Sequence, residues 1–271
     1  MLFKRGYENL IFALSARNSV LIDFYHRYIY KPKPGSLACF YNQLSQLKPG
    51  LFVIQVGAND GITHDPIHKY IKRDNWRGVL IEPQETVYRS KLFPLYRRNK
   101  QIFVENIAVN EANGLMDFHK LSFCNDRWAS GLSTFHRPTL QSKIDSGEIE
   151  RLAKRYGVSL PGNKSEFIST IKVEAKSFSF IREKYNIQHV DVLQIDTEGF
   201  DFEIVKLYDL KENKAAVVVF ESSHLNEKQY SETQNYFESN GYALLRVKGD
   251  SIGIHKSFAD GLSLIEKCAI N

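Results

Sequence analysis

The sequence predicts an α/β domain built on a doubly wound, mainly parallel sheet, and three observations carry that expectation. From residue 51 onward, short apolar runs alternate with amphipathic segments, the pattern of successive βαβ units covered by helices on both faces. The first of these runs, "LFVIQV", passes straight into the glycine-bearing turn "GANDG". The second, "RGVLI", passes straight into a carboxylate, Glu82.

A chain of 271 residues, 43% hydrophobic and 25% charged, can bury a full core and is expected to be ordered and soluble. No apolar run approaches the roughly 20 residues needed to cross a bilayer. Lys4 and Arg5 open the chain, but Glu8, Arg17 and Asn18 interrupt the apolar stretch behind them. No secretory signal is expected, and the cytoplasm is the expected location. Cys39, Cys124 and Cys268 lie far apart without a C-x-x-C pair, which argues against a zinc knuckle or disulfide framework. Net charge is +5, and the basic residues are spread out except in "RSKLFPLYRRNK" at 89–100. That run reads as a solvated helix face able to attract an acidic ligand rather than as a nucleic-acid footprint.

Residues 1–48 read as a helical extension. Leu10, Leu14, Leu21 and Phe24 fall close to one helical stripe that should pack on the main domain, and "KPKPG" breaks the pattern. A homodimer contact, a lid or a peripheral membrane helix are its alternative uses. The domain proper is expected over 49–271, with strands near 51–56, 78–82, 102–109, 190–195, 215–221 and 241–247. Between about 110 and 170 the rhythm lapses into an insertion, followed by the strand-like "STIKVEAKSF". Such insertions usually carry substrate contacts.

A strand that ends in a glycine turn and opens a helix sets backbone N–H groups above the carboxyl edge of the sheet, where ligands bind in open α/β folds. Dinucleotide-binding turns follow G-x-G-x-x-G. Here Gly57 and Gly61 remain, but Asn59 replaces the second glycine, Ile62 occupies the sixth position, and Asp60 adds a charge that opposes a pyrophosphate. The turn suits a nucleoside that carries an ammonium and a sulfonium, S-adenosylmethionine. Glu82 at the second strand's tip can accept both ribose hydroxyls. In "VENIAVN", Asn106, Ile107 and Ala108 can edge and wall an adenine.

The fourth strand ends in "LQIDTEGFDFEIV" and the fifth in "VVFESSH". Asp196 and Glu198 should therefore meet Glu221 and His224 at one edge, where converging acids require a cation, a metal ion or a bound proton. Asp201 and Glu203 read as solvated acids in the first turn of the following helix. At that edge Asp196 or His224 can take a proton, with Glu198 and Glu221 orienting a hydroxyl or holding a divalent cation such as magnesium.

Taken together, "VGANDG", "LIEP", "NIAV", "IDTEGFD" and "VVFESSH" resemble, in order and spacing, the FkbM-type S-adenosylmethionine-dependent methyltransferases over roughly residues 51–248. The resemblance implies a class I methyltransferase (Rossmann-like) fold. Its sheet has seven strands, mainly parallel, with an antiparallel last strand. O-methylation of a hydroxylated glycan, glycolipid or small natural product is implied as the reaction. The implied cofactor contacts are Gln55, Gly57, Asn59, Asp60, Gly61, Glu82, Pro83, Asn106, Ile107, Ala108 and Asp196, and the implied catalytic residues are Asp196, Glu198, Glu221 and His224. Gln55 stands where such enzymes usually carry an acid, with Asp60 available to hold the methionine ammonium instead. "WASGLSTF", with Trp128, Ser130 and Gly131, resembles the family's pocket loop.

Three other classes share parts of this pattern. A nicotinamide-dependent oxidoreductase would need the missing glycines. A nucleic-acid methyltransferase would carry Asp or Asn followed by two prolines and an aromatic, which is absent, so no nucleic-acid partner is expected. A non-catalytic binding protein that kept the fold would bind a glycan or partner without turnover.

Overall fold

The computed structural model describes residues 2–268. In chain order its strands are β1 (Phe52–Val56), β2 (Arg77–Ile81), β3 (Ile102–Glu105), β4 (Ala108–Val109), β5 (Gly114–Leu121), β6 (Ile168–Lys176), β7 (Val192–Ile195), β8 (Val217–Glu221), β9 (Tyr242–Val247) and β10 (Asp250–His255). Seven form one sheet in the order β3-β2-β1-β7-β8-β10-β9, and three form a small sheet in the order β4-β6-β5. In the large sheet only β10 runs antiparallel to its neighbours, as the expected seven-stranded, mainly parallel sheet requires.

Both faces of this sheet are buried, which is why its central strands are nearly continuous apolar runs. Side chains alternate between two cores. Val53, Leu80, Val192, Val217 and Val219 face one, with the helices Leu37–Leu47, His68–Asp74 and Ala259–Lys267. Ile54, Val79, Leu193, Val218 and Phe220 face the other, with the helices Phe178–Lys184, Asp201–Tyr208 and Glu227–Ser239. The chain winds outward from β1 through β2 to β3, then returns to build from β7 on β1's other side. The tips of β1 and β7 therefore flank the switch point where ligands bind in such sheets.

Three expectations need correction. The run 102–109 is not one strand. Asn106 turns its amide onto the Glu82 and Pro83 carbonyls at 2.9 and 3.1 Å, the chain leaves the large sheet, and β4 pairs with β6 instead. The insertion contains a full strand, β5, paired with β6 along its whole length. In the N-terminal segment the helix Leu2–Ala16 and the segment Val20–Ile29 do not bury the expected stripe. Leu10, Leu21 and Phe24 are exposed, and the packed face is the one carrying Phe12, Ala16 and Ile22.

Candidate active site

The turn after β1 is held open by backbone conformations that few side chains accept. Gly57 has φ +84°, Asn59 +45° and Gly61 +70°. A Cβ on Gly57 would lie 1.7 Å from the carbonyl oxygen of Asp196, so only glycine lets β1 and β7 approach this closely. Gly61 has a different task. A Cβ there would meet Leu92 at 2.7 Å, so it admits the helix Phe93–Tyr96 rather than a ligand.

Glu82 stands at the tip of β2 and clamps two turns. Its Oε2 accepts from the Asn59 N–H and its Oε1 from the Gln84 N–H, both at 2.8 Å. Burial pushes its pKa up to about 7 against the pull of those two donors. Asp60 Oδ1 accepts from the N–H groups of Ile62 and Thr63 at 3.0 and 2.8 Å and lies 3.9 Å from Arg127 Nε, so its charge serves the turn.

One cavity joins these tips. Gly57, Asn59, Glu82 and Pro83 line one side, Ile107, Ala108 and Phe118 form an apolar wall, and Asp196, Thr197 and Glu198 close the end. The insertion covers it with Arg127, Ser130, Gly131, Ser133 and Phe135. Gln84 latches that cover, donating to the Ser130 carbonyl at 3.0 Å and accepting from Ser133 Oγ at 3.1 Å. Trp128 lies elsewhere, stacked on Tyr156 at 5.6 Å. Gln55, Asp60, Gly61 and Asn106 do not line the cavity. Gln55 is buried under the sheet, and Asn106 supports the Glu82–Pro83 backbone from outside.

Asp196 lines the cavity and is exposed, and its carboxylate has no hydrogen-bond partner among the described residues. Desolvation by the surrounding chain first, then Asp201, Glu198 and Glu221, hold its pKa well above the usual carboxylate range. Glu198 follows with φ +53°, a conformation rare for a branched-free acid and found where a turn must aim a side chain. Its pKa rises to about 7, from burial first and Glu221 second, with Lys143 of the insertion 4.0 Å away. Asp201 is no solvated helix-start acid. It is 3% exposed, and its two oxygens take the N–H groups of Thr197 and Gly199 at 3.0 and 3.1 Å, which fixes the Glu198 turn.

Glu221 and His224 line a second recess, with Asp201, Phe202, Glu203, Gln229 and Glu232. His224 Nε2 is 2.9 Å from Glu221 Oε2, and Ser223 Oγ donates to Oε1 at 2.5 Å. Burial opposes ionisation of Glu221, but these bonds outweigh it and hold its pKa below the usual range, while the Glu221 bond raises that of His224. Glu198, Glu221 and His224 each offer a ligand atom within 4.8 Å of the others, so Glu198 bridges the two recesses. The set fits magnesium poorly. That ion takes oxygen ligands, and the imidazole here favours its protonated form against Glu221.

The sequence did not single out Gln84, Arg127, Ser133 or Thr197 as site residues. Only the neighbouring motifs "LIEP", "WASGLSTF" and "IDTEGFD" pointed near them.

A doubly wound sheet with a glycine turn after β1 and carboxylates at the tips of β2 and β7 defines the Rossmann-like class of fold. The chain belongs to the FkbM methyltransferase family, whose domain model, Methyltransferase FkbM domain, matches residues 55–244. It is similar to the crystal structure of a methyltransferase FkbM from Methylobacillus flagellatus KT, with a TM-score of 0.47 and 12% identity over 86% of this chain. This chain spans about half the length of that one, 50%. A precorrin-6y C5,15-methyltransferase from Geobacter metallireducens GS-15 aligns with a TM-score of 0.36 and 10% identity, over 77% of this chain and 71% of that one. No curated protein matches the sequence.

Proposed function

We propose that this protein is an S-adenosylmethionine-dependent O-methyltransferase acting on a hydroxyl of a sugar, glycan, glycolipid or natural-product acceptor. One observation supports the reading: a single cavity is lined by the Gly57 turn, by Glu82, by an apolar wall and by Asp196. Glu82 retains a lone pair on each oxygen beyond those given to Asn59 and Gln84, enough to accept two ribose hydroxyls. Ile107, Ala108 and Phe118 offer the apolar wall that an adenine needs. Asp196 would face the charged methionine end. When bound, the cofactor supplies an electrophilic methyl group.

A sugar hydroxyl must lose its proton as it attacks, and a base with a raised pKa is matched to that task near neutral pH. Asp196 lines the first recess, and its surroundings, with Asp201, Glu198 and Glu221 near it, raise its pKa. In this reading the acceptor oxygen gains the methyl group and its proton passes to the Asp196 carboxylate. Glu198 orients the hydroxyl, and the Glu221–His224 pair borders the acceptor. Phe202 with Glu203, Gln229 and Glu232 gives the second recess an aromatic face and hydroxyl acceptors, which supports a hydroxylated ligand.

Calorimetric titration with S-adenosylmethionine, S-adenosylhomocysteine and NAD tests the cofactor. The sulfur ligands should bind, NAD should not, and Glu82→Ala should abolish binding. Asp196→Asn should then lower turnover on hydroxylated acceptors by about 10² or more. No binding of either sulfur ligand would sink the reading, and full turnover by Asp196→Asn would remove that residue from the chemistry.

A further inference from the structure

The segment Val20–Ile29 begins as an α-helix and widens into a π-helical turn over Tyr25–Ile29. This winding brings Val20, Leu21, Phe24, Tyr25, Tyr28 and Ile29 onto one outward face. They are 45–80% exposed, the extremes being Tyr25 and Val20. Six large apolar side chains left together in water mark a surface with a partner. The opposite face is anchored: Ile22 is buried, and Arg27 donates to the Arg73 carbonyl at 2.8 Å.

Beside this stripe runs a groove of about 450 Å³, bounded by Val20, Ile22 and the end of the helix His68–Asp74. Arg27, Lys72, Arg98 and Lys100 line it with Arg73, which is buried and paired with Asp74 at 2.6 Å, and the one acid in the lining is Asp23, 3.5 Å from Arg27. Arg98 and Lys100 come from the basic run at 89–100. Arg17, Lys31 and Lys33 flank the stripe and are exposed.

We propose that this face docks on an anionic membrane surface, with the apolar stripe in the headgroup–acyl boundary and lipid phosphates in the groove. Interfacial helices combine these features, an aromatic and aliphatic face bordered by Lys and Arg. Charge decides against a second copy of the chain. A two-fold contact would set Arg17, Arg27, Arg98 and Lys100 near their own copies with little acid to offset them. A nucleic acid would satisfy the cations and leave Val20, Leu21 and Ile29 in water. The groove lies at the amino edge of the sheet, where Asn75 precedes β2 and Gln101 precedes β3. Docking there leaves the cavity at the carboxyl edge open to solvent.

Co-sedimentation of the full chain with phosphatidylcholine vesicles, with and without phosphatidylglycerol, tests this. Binding should require phosphatidylglycerol and weaken about tenfold or more in Arg98→Glu/Lys100→Glu and, independently, in Phe24→Glu/Tyr28→Glu. All four residues are outside the site, so S-adenosylmethionine titration should be unaltered and serves as the folding control. Equal binding to neutral vesicles, no binding to anionic ones, or full binding by both variants would overturn the proposal. So would a dimer in light scattering that Phe24→Glu/Tyr28→Glu dissociates.

Discussion

Gln55 Nε2 donates to Oδ2 of Asp65 at 2.8 Å, while Oδ1 of Asp65 accepts from the N–H groups of Ile67 and His68 at 2.8 and 2.6 Å. The buried Gln55 amide is thus matched to an acid ten residues on. Burial pushes the Asp65 carboxyl up, and the Gln55 donor is the largest influence that keeps it down. Gln55→Glu would replace that donor with a second buried carboxylate. Above neutrality the two repel, and below it a shared proton bridges them. We expect the variant to lose about 2–4 kcal/mol at pH 8 and much less at pH 5, read from urea unfolding at both pH values. A loss independent of pH would show that the pair does not share a proton.

The Gly57 contact makes a sharper prediction. An added Cβ would meet backbone atoms of Asp196 at 1.7 and 2.7 Å, and β1 and β7 are locked in parallel register over Val53–Val56, so neither can yield. Gly57→Ala should cost more than about 3 kcal/mol. Gly157, with φ +67° and nothing within 4 Å of an added Cβ, isolates the backbone strain. Gly157→Ala should cost only about 1–2 kcal/mol. Similar unfolding midpoints for the two variants would contradict the close approach.

The strand tips were legible in the sequence because each central strand is a nearly continuous apolar run, broken only by Gln55 in β1 and Gln194 in β7, that stops at a turn. Gly57, Glu82, Asp196 and Glu221 follow from that rule. Asp201 did not, because a solvated first-turn acid and a buried acid that ties a turn occupy the same position relative to the helix. Strand β10 was hidden by Gly253, which looks like a breaker yet leaves room for the Phe237 ring, 2.3 Å from where its Cβ would stand. The cover formed by Gln84, Ser130 and Ser133 depends on contacts 46 and 49 residues apart, through a loop without periodicity.

Cysteine reactivity should divide by burial. Cys39 Sγ lies 2.9 Å from Cys268 Sγ between the helices Leu37–Leu47 and Ala259–Lys267, and burial pushes the Cys268 thiol up to about 12. A thiol with so little thiolate is a poor nucleophile. Cys124 is only partly buried. Iodoacetamide at pH 8 should therefore modify Cys124 alone in the native protein and all three cysteines in urea, as mass spectrometry of digests would report. Native labelling of Cys268 at the rate of Cys124 would contradict this packing.

Glu198 makes stability depend on pH. Its pKa is about 7 in the fold against an ordinary 4.5, so the folded state prefers the protonated acid. A raised value contributes stability that is complete below about pH 4.5 and is lost as pH rises through 7. Gln cannot ionise, so Glu198→Gln should match the wild type at pH 4.5 and exceed it by roughly 1–3 kcal/mol at pH 8, the gap opening between those limits. If Glu198 also orients the acceptor, the same substitution lowers turnover at pH 8, where it stabilises most. Thermal unfolding across the pH range and turnover at pH 8 separate the two effects. A stability difference that stays flat with pH would mean that Glu198 ionises without strain, and its neighbours Glu221 and Lys143 would then balance each other at the cleft.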